Sequence, residues 1–295
     1  MPRTFELLTE FAGSEFSIKS LRLAPALLTP TLDLRDGFGT YGRMRLWNYG
    51  AILAAMCLPL DAYAADDERF IPDCAGAVEI AHAPIARVEA DGTLILPDGR
   101  VLVLEGIRLA EPHRGEALAA LRVLASRGPV NFTAPAPARD RYGRMRVQAF
   151  GRHWLQAALL EKGLAQVQIA PDRSECAPDL YEIEAAARAR QAGIWALPDY
   201  RIRTPQTLKD TAGTFQLMEG KVRSIGRADG RTFIDFGDRR SFSVVIEAAD
   251  RRAFRGFDFD ELSGRHVRVR GIVQDYRGRP EIFLSNPYQI QVLEE

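Results

Sequence analysis

Arg139-Asp140-Arg141-Tyr142-Gly143-Arg144 runs directly into Met145-Arg146-Val147-Gln148-Ala149-Phe150. The first six residues concentrate charge around an aromatic and a glycine, the composition of a tight loop. The next six alternate: Met145, Val147 and Ala149 share one face, Arg144, Arg146 and Gln148 the other, as in a half-buried β-strand. A guanidinium on the outer face beside a glycine turn suits an oxyanion such as a phosphodiester. Solvated arginines at a hairpin entry would share that pattern, so the segment gains meaning only from its surroundings.

Upstream, the chain reads as short strands separated by turns. Ile85–Glu89, Thr93–Leu96 and Val101–Leu104 are divided by Asp91-Gly92 and Pro97-Asp98-Gly99. Closely spaced hairpins of this kind predict a small antiparallel barrel. Arg114–Arg127 has a helical stripe of Leu118, Leu121, Val123 and Leu124, and Pro129–Thr133 returns to strand. Downstream, helices are predicted over Trp154–Lys162 and Asp179–Gln191, closed near Gly163 and Gly193. Residues 201–212 are polar with one proline and read as a linker. Beyond them, Gly220–Ile225, Thr232–Phe236, Ser241–Ile246 and His266–Val273 are strand-like, with a helical segment near Ala248–Phe254. That order suits a second five-stranded barrel.

Composition bounds the function. The 295 residues are 46% hydrophobic and 26% charged, with a formal net charge of zero, a globular protein without the basic footprint of many nucleic-acid binders. Counted by region, Ala65–Tyr200 has 16 Lys+Arg against 19 Asp+Glu, and Gly213–Glu295 has 14 against 13. Contact with a polyanion must therefore come from a local patch. The four histidines, His82, His113, His153 and His266, lack metal-ligand spacing. His266, Arg268 and Arg270 alternate onto one strand face which, with Phe233 and Phe236, offers either single-strand contacts or a plain solvated surface. Trp154 and Trp195 read as core.

The N-terminal 64 residues are different. Met44-Arg45 precedes Leu46–Leu60, which is free of charge, and Ala62-Tyr63-Ala64 follows. A basic start, a short apolar run and an Ala-x-Ala exit form a secretory signal over residues 44–64, with residues 1–43 as an upstream extension. The apolar run is too short to span a bilayer comfortably, so export to the periplasm or medium without a membrane span is expected. The mature chain keeps Cys74 and Cys176, either a disulfide closing a loop of about 102 residues or two buried thiols.

Taken together, residues 80–196 resemble the staphylococcal-nuclease-like (thermonuclease) family. The resemblance rests on Ala90–Leu94, Leu104–Ile107, Glu111, Asp140–Arg144, Leu159–Ala165 and Ala192-Gly193-Ile194-Trp195. It implies an OB-fold five-stranded barrel with packed helices over residues 65–200, which with the smaller OB-like barrel read from the strand order over 213–295 makes a mainly β (α+β) fold. It also implies calcium-dependent cleavage of DNA and RNA, in which two aspartates hold Ca²⁺, a glutamate activates water and two arginines bind the phosphoryl oxygens. Carried over by position, Glu111 falls on the glutamate and Arg144 on the second arginine. Asp91-Gly92-Thr93 lacks the aspartate expected after its glycine, leaving Asp91 alone as a metal candidate. In the register of Gly106-Ile107, Val103 stands at the first arginine and Arg108 at the second aspartate. The resemblance therefore implies no resident metal and a site of catalytic Glu111 and Arg144 with phosphate-binding Arg108, Arg141 and Arg146. It suits a degenerate nuclease that binds single-stranded DNA, RNA or another polyanion. The alternatives are an active phosphodiesterase using Glu111 and Arg144, and a cell-envelope interaction module.

Overall fold

The computed structural model describes residues 74, 78–135, 139–237 and 241–293. All fall within a single unit, Ala62–Glu295. The upstream extension and the signal segment lie outside the described residues.

The first barrel is built from β1 (Glu79–Ala83), β2 (Arg87–Val88), β3 (Leu94–Ile95), β4 (Val101–Leu104), β6 (Val130–Thr133) and β7 (Met145–Phe150). Their hydrogen-bonded order is β1-β6-β7-β4-β3-β2. β1 and β2 follow one another along the chain, so the sheet returns to its starting strand and closes. Every pairing is antiparallel except β4 with β7, which is parallel. Counting β1 and β2 as one bent strand gives the five-stranded OB arrangement, the fold expected from the sequence. β5 (Ile107–Leu109) and β8 (Ala165–Val167) form a separate antiparallel ribbon beside it.

Three helices cover the barrel: α1 (Arg114–Ala125), α2 (Leu155–Glu161) and α3 (Ala177–Ala189). α1 buries Leu118, Leu121 and Leu124, and α2 buries Leu155, Leu159 and Leu160, onto Leu94, Leu102, Phe132, Val147 and Phe150. Trp154 and Trp195 are both in the core. Cys74 and Cys176 are joined as a disulfide, 102 residues apart in sequence.

Two glycines explain the Lys-Gly-Leu and Ala-Gly-Ile-Trp pieces. Gly163 ends α2 at φ +63 and Gly193 follows α3 at φ +53. A Cβ at Gly163 would lie 1.9 Å from the Ala192 carbonyl oxygen, and one at Gly193 would lie 2.4 Å from the Gly163 oxygen. The Ile194 N–H donates to that same oxygen at 3.0 Å. Two chain reversals touch backbone to backbone there, which leaves no room for a side chain.

The second barrel repeats the topology. β9 (Phe215–Ala228), β10 (Arg231–Phe236), β11 (Phe242–Ile246), β12 (His266–Tyr276) and β13 (Arg279–Phe283) pair β9-β10-β11-β13-β12 and back to β9. Again one pairing of the ring is parallel, β11 with β13. β14 (Ile290–Val292) adds to the outer edge of β12. The helical segment expected near Ala248–Phe254 is a single 3-10 turn, Arg251–Phe254. Its neighbouring Gly256 and the following Asp-rich stretch do not sustain an α-helix.

Residues 201–212, read as a linker, are pinned along their length. Arg203 exchanges backbone hydrogen bonds with β9, and Leu208 is fully buried in the second core. The barrels meet through Ala110, Ala187, Ile194, Trp195 and Leu217, which form an apolar cluster of their own. Beside it, Glu184 is fully buried. It accepts the Val167 N–H at 2.7 Å, lies 3.0 Å from Arg270 and 3.4 Å from Arg188. Arg270 also donates to the Val167 carbonyl at 3.2 Å and sits 4.1 Å over the Tyr181 ring. The strand face of His266, Arg268 and Arg270 is thus not a surface open to single strands. Arg270 is 2% exposed, Arg268 is paired with Glu219, and Phe236 is core.

Candidate anion site at the mouth of the first barrel

Five short pieces of backbone converge where the β2–β3 turn meets the β6–β7 loop. The turn supplies Asp91, β5 supplies Arg108, the 3-10 turn Glu111–His113 supplies Glu111, the first residue of α1 is Arg114, and the loop end supplies Arg144. Asp91, Arg108, Arg114 and Arg144 line one cavity of about 330 Å³.

The Asp140–Arg144 loop is held by its aspartate. Asp140 Oδ1 accepts the N–H groups of Tyr142 and Arg144, each at 2.9 Å, and its Oδ2 accepts Arg144 Nε at 2.8 Å. Gly143 takes φ +76, which the turn requires. The Arg144 guanidinium is held from one edge, with no hydrogen bond to its other nitrogens among the described residues, and lies 5.3 Å from the centre of the exposed Tyr142 ring. Arg141 sits 4.8 Å from the same ring. These donors hold the Asp140 carboxyl below its ordinary range, through the Arg144 side chain above all, against the cost of burial.

Across the cavity, Glu111 and Arg114 form a two-toothed ion pair, Nη2 to Oε1 and, at 3.1 Å, Nε to Oε2. The Arg114 hydrogen bonds push the Glu111 carboxyl down, and Glu111 in turn raises Arg114. Asp91 is lowered chiefly by the Thr93 N–H, which its Oδ1 accepts at 2.9 Å, with Arg144 adding to the effect. Arg108 is lowered by burial, and its guanidinium stacks 4.8 Å from the centre of the Phe215 ring of β9. Three guanidiniums and three carboxylates, counting the Asp140 that holds Arg144, therefore meet around the site and balance in formal charge.

Of the residues expected from the sequence, the structure gathers Asp91, Arg108, Glu111 and Arg144. It places Arg141 over the Tyr142 ring and not among the residues that line the cavity. Arg146 is spent elsewhere, clamped by both nitrogens to Asp172 at 2.8 and 2.5 Å with Glu105 3.6 Å away. Its assignment to phosphate is corrected on that ground: a bidentate carboxylate already fills the guanidinium fork. Arg114 was missed. Its signal was the Glu111–Arg114 spacing of three, which places both on one side of a helical turn.

The fold family implies calcium, and the donors present do not fit it. Calcium takes six to eight oxygens with carboxylates foremost. Here Asp91 spends Oδ1 on its own turn, Glu111 is paired, and guanidiniums stand on both sides. Among the described residues, no group of three or more His, Cys, Asp or Glu side chains comes together as a metal site.

Residues 109–197 match the family model described as staphylococcal nuclease homologue. The matched segment includes Glu111, Arg114 and Arg144 and begins just after Arg108. No curated protein matches the chain.

Proposed function

We propose that this chain, whose residues 109–197 match the staphylococcal nuclease homologue model, binds the phosphodiester backbone of single-stranded nucleic acid, or a similar polyanion, with hydrolysis weak or lost. The observation that carries the reading is the company of Arg144. It faces a cavity shared with Arg108 and Arg114, with the exposed Tyr142 ring beside it, so cation and stacking surface stand together. Hydrolysis has less support. Glu111, the carboxylate that the family pattern assigns to water activation, has both oxygens engaged by Arg114 and is held in its weakly basic ionised form. Removing one preorganised charge donor from such a site costs about 2.7–4 kcal/mol of barrier, and two metal carboxylates and one arginine of the family pattern are missing.

The grouping of Glu111 with three arginines is also what a metal-independent phosphodiesterase would need, and one substitution separates the two. Glu111→Gln removes a negative charge from the cluster and frees Arg114. On the binding reading, affinity for a labelled single strand rises a few-fold in fluorescence anisotropy; on the enzymatic reading, Glu111→Gln abolishes cleavage. Arg144→Ala weakens binding on either. Neutralising two to three phosphates gives a slope of log affinity against log salt of about −1.4 to −2.1. Robust cleavage by the wild type, lost in Glu111→Gln, overturns the binding reading, and binding indifferent to salt overturns both.

We further propose export, supported by the basic, apolar and Ala-x-Ala pattern of residues 44–64 and by the Cys74–Cys176 disulfide, a bond that persists in oxidising compartments. Among the described residues, no helix is long and apolar enough to cross a membrane. N-terminal sequencing of the mature protein tests this, with a start near Ala65 expected.

A further inference from the structure

The anion cavity does not end at Arg144. A second hollow of about 590 Å³ opens beside it, between the two barrels, and shares Arg144, Ile107, Gln168 and Ile272 with the first. Its far wall belongs to the second barrel, whose residues lie outside the family match: Phe215 of β9, Ile272 and Gln274 of β12, and Phe283 of β13. The chemistry of this wall differs from that of the mouth. Ile272 is 47% exposed, a large apolar side chain left open on the rim. Gln168 from the first barrel and Gln274 from the second both line the hollow, and no hydrogen bond engages either side-chain amide among the described residues. A cavity with apolar plates and a few free polar groups is built for a flat, partly polar ligand. Primary amides present paired donors and acceptors to the edge of such a ligand.

We propose that this inter-barrel cleft takes the nucleobase of a single-stranded nucleic acid whose phosphate lies on the arginine cluster, so that the second barrel supplies the base-reading half of the site. The inference rests on the phosphodiester-binding reading and goes beyond it by naming where the base goes and what holds it. Arg108 joins the halves physically, with its guanidinium in the anion cavity and its flat face on Phe215. A base enters such a cleft only from an unstacked strand, which makes single strands the substrate class. The buried junction of Glu184 with Arg270 holds the two walls at a set separation, so the cleft is present before ligand arrives and ordering costs little.

The test compares a short labelled oligothymidylate with an abasic deoxyribose-phosphate strand of equal length, using the full chain. Base stacking in such sites makes the abasic strand about tenfold or more weaker. Gln274→Ala, an exposed change that leaves the fold intact, weakens the base-bearing strand by about two- to tenfold and leaves the abasic strand unchanged. An oligonucleotide carrying one 5-iodouracil is then photocrosslinked, and the adduct is expected on a peptide holding Phe215, Ile272 or Phe283. Equal affinity for the two strands overturns the base cleft and leaves the phosphodiester reading standing. An adduct outside the cleft overturns it whatever the affinities. Salt-dependent binding of neither strand overturns both.

Discussion

Glu184→Gln removes one negative charge and almost nothing else. The amide is nearly isosteric and its oxygen still accepts the Val167 N–H, now 2.7 Å from the carboxylate. What disappears is the counter-charge to Arg270, 3.0 Å away and 3% exposed, and to Arg188, 3.4 Å away and 16% exposed. Breaking a buried pair from one side costs about 3–5 kcal/mol, because the surviving charge is left uncompensated. Arg270 keeps the Val167 carbonyl and the Tyr181 ring, and Arg188 keeps some water, so the lower end, about 3 kcal/mol, is expected. In a unit of this size that lowers Tm by about 6–12 °C. Equilibrium urea denaturation with Glu184→Gln, Arg270→Met and the Glu184→Gln/Arg270→Met double variant measures it. The double variant should recover part of the loss, since the amide keeps the Val167 N–H and no uncompensated Arg270 charge remains. A single variant within about 1 kcal/mol of wild type, or a double variant as unstable as the single, would refute the view that the barrels are locked by compensated charge.

Asp140→Ala removes the acceptor of two loop amides and of Arg144; single-strand affinity should fall nearly as far as in Arg144→Ala, with the circular dichroism of the barrel unchanged. Gly163→Ala forces a Cβ onto the Ala192 carbonyl at a positive φ and should cost more than the roughly 1–2 kcal/mol of the left-handed backbone alone, read as a lowered denaturation midpoint. Reducing Cys74–Cys176, a loop of 102 residues, should cost about 4–5 kcal/mol in the chain-entropy model, and thermal melts with and without reductant check the loss. Asp91, Glu111, Asp140 and Asp172 all have folded pKa values below their ordinary ones. Their contribution is therefore complete above about pH 5 and is lost as pH falls through the depressed folded values. Glu105, raised by burial, works in the opposite sense and favours the fold as it takes up its proton, so stability should fall more steeply with acid in Glu105→Gln than in wild type.

What the sequence revealed was what is local. The Asp140–Arg144 turn, the Gly163 and Gly193 reversals and the alternation of β7 are each written within a few residues, and each is found where the pattern put it. Arg108 was also legible, because the Gly106-Ile107 register ties it to a neighbouring turn. Arg146 was not, since the carboxylate that claims it, Asp172, lies 26 residues on. Arg270 shows the deeper limit. Alternation tells which side chains leave the core of their own sheet, but not whether water or another domain waits outside. Charged outward residues on β12 looked like a solvent face, and α3 covers part of it. The second barrel's place beside the cavity was hidden for the same reason, as Phe215 meets Arg108, more than a hundred residues away along the chain, only through the packing of two barrels.

The disulfide also sets the path by which tension travels. Cys74 is bonded to the residue that opens α3, while the chain between Cys74 and β1 runs on to the barrel. A pull on any segment upstream of Cys74 therefore passes through the sulfur bridge into α3, and from there through Glu184 into both barrels at once. β1, whose ladder with β6 would otherwise be peeled pair by pair, is shunted out of the circuit while the bond is intact. Reduction restores the direct route, so under stretching in a single-molecule trap the oxidised protein should resist as one block and the reduced protein should unzip from its first strand.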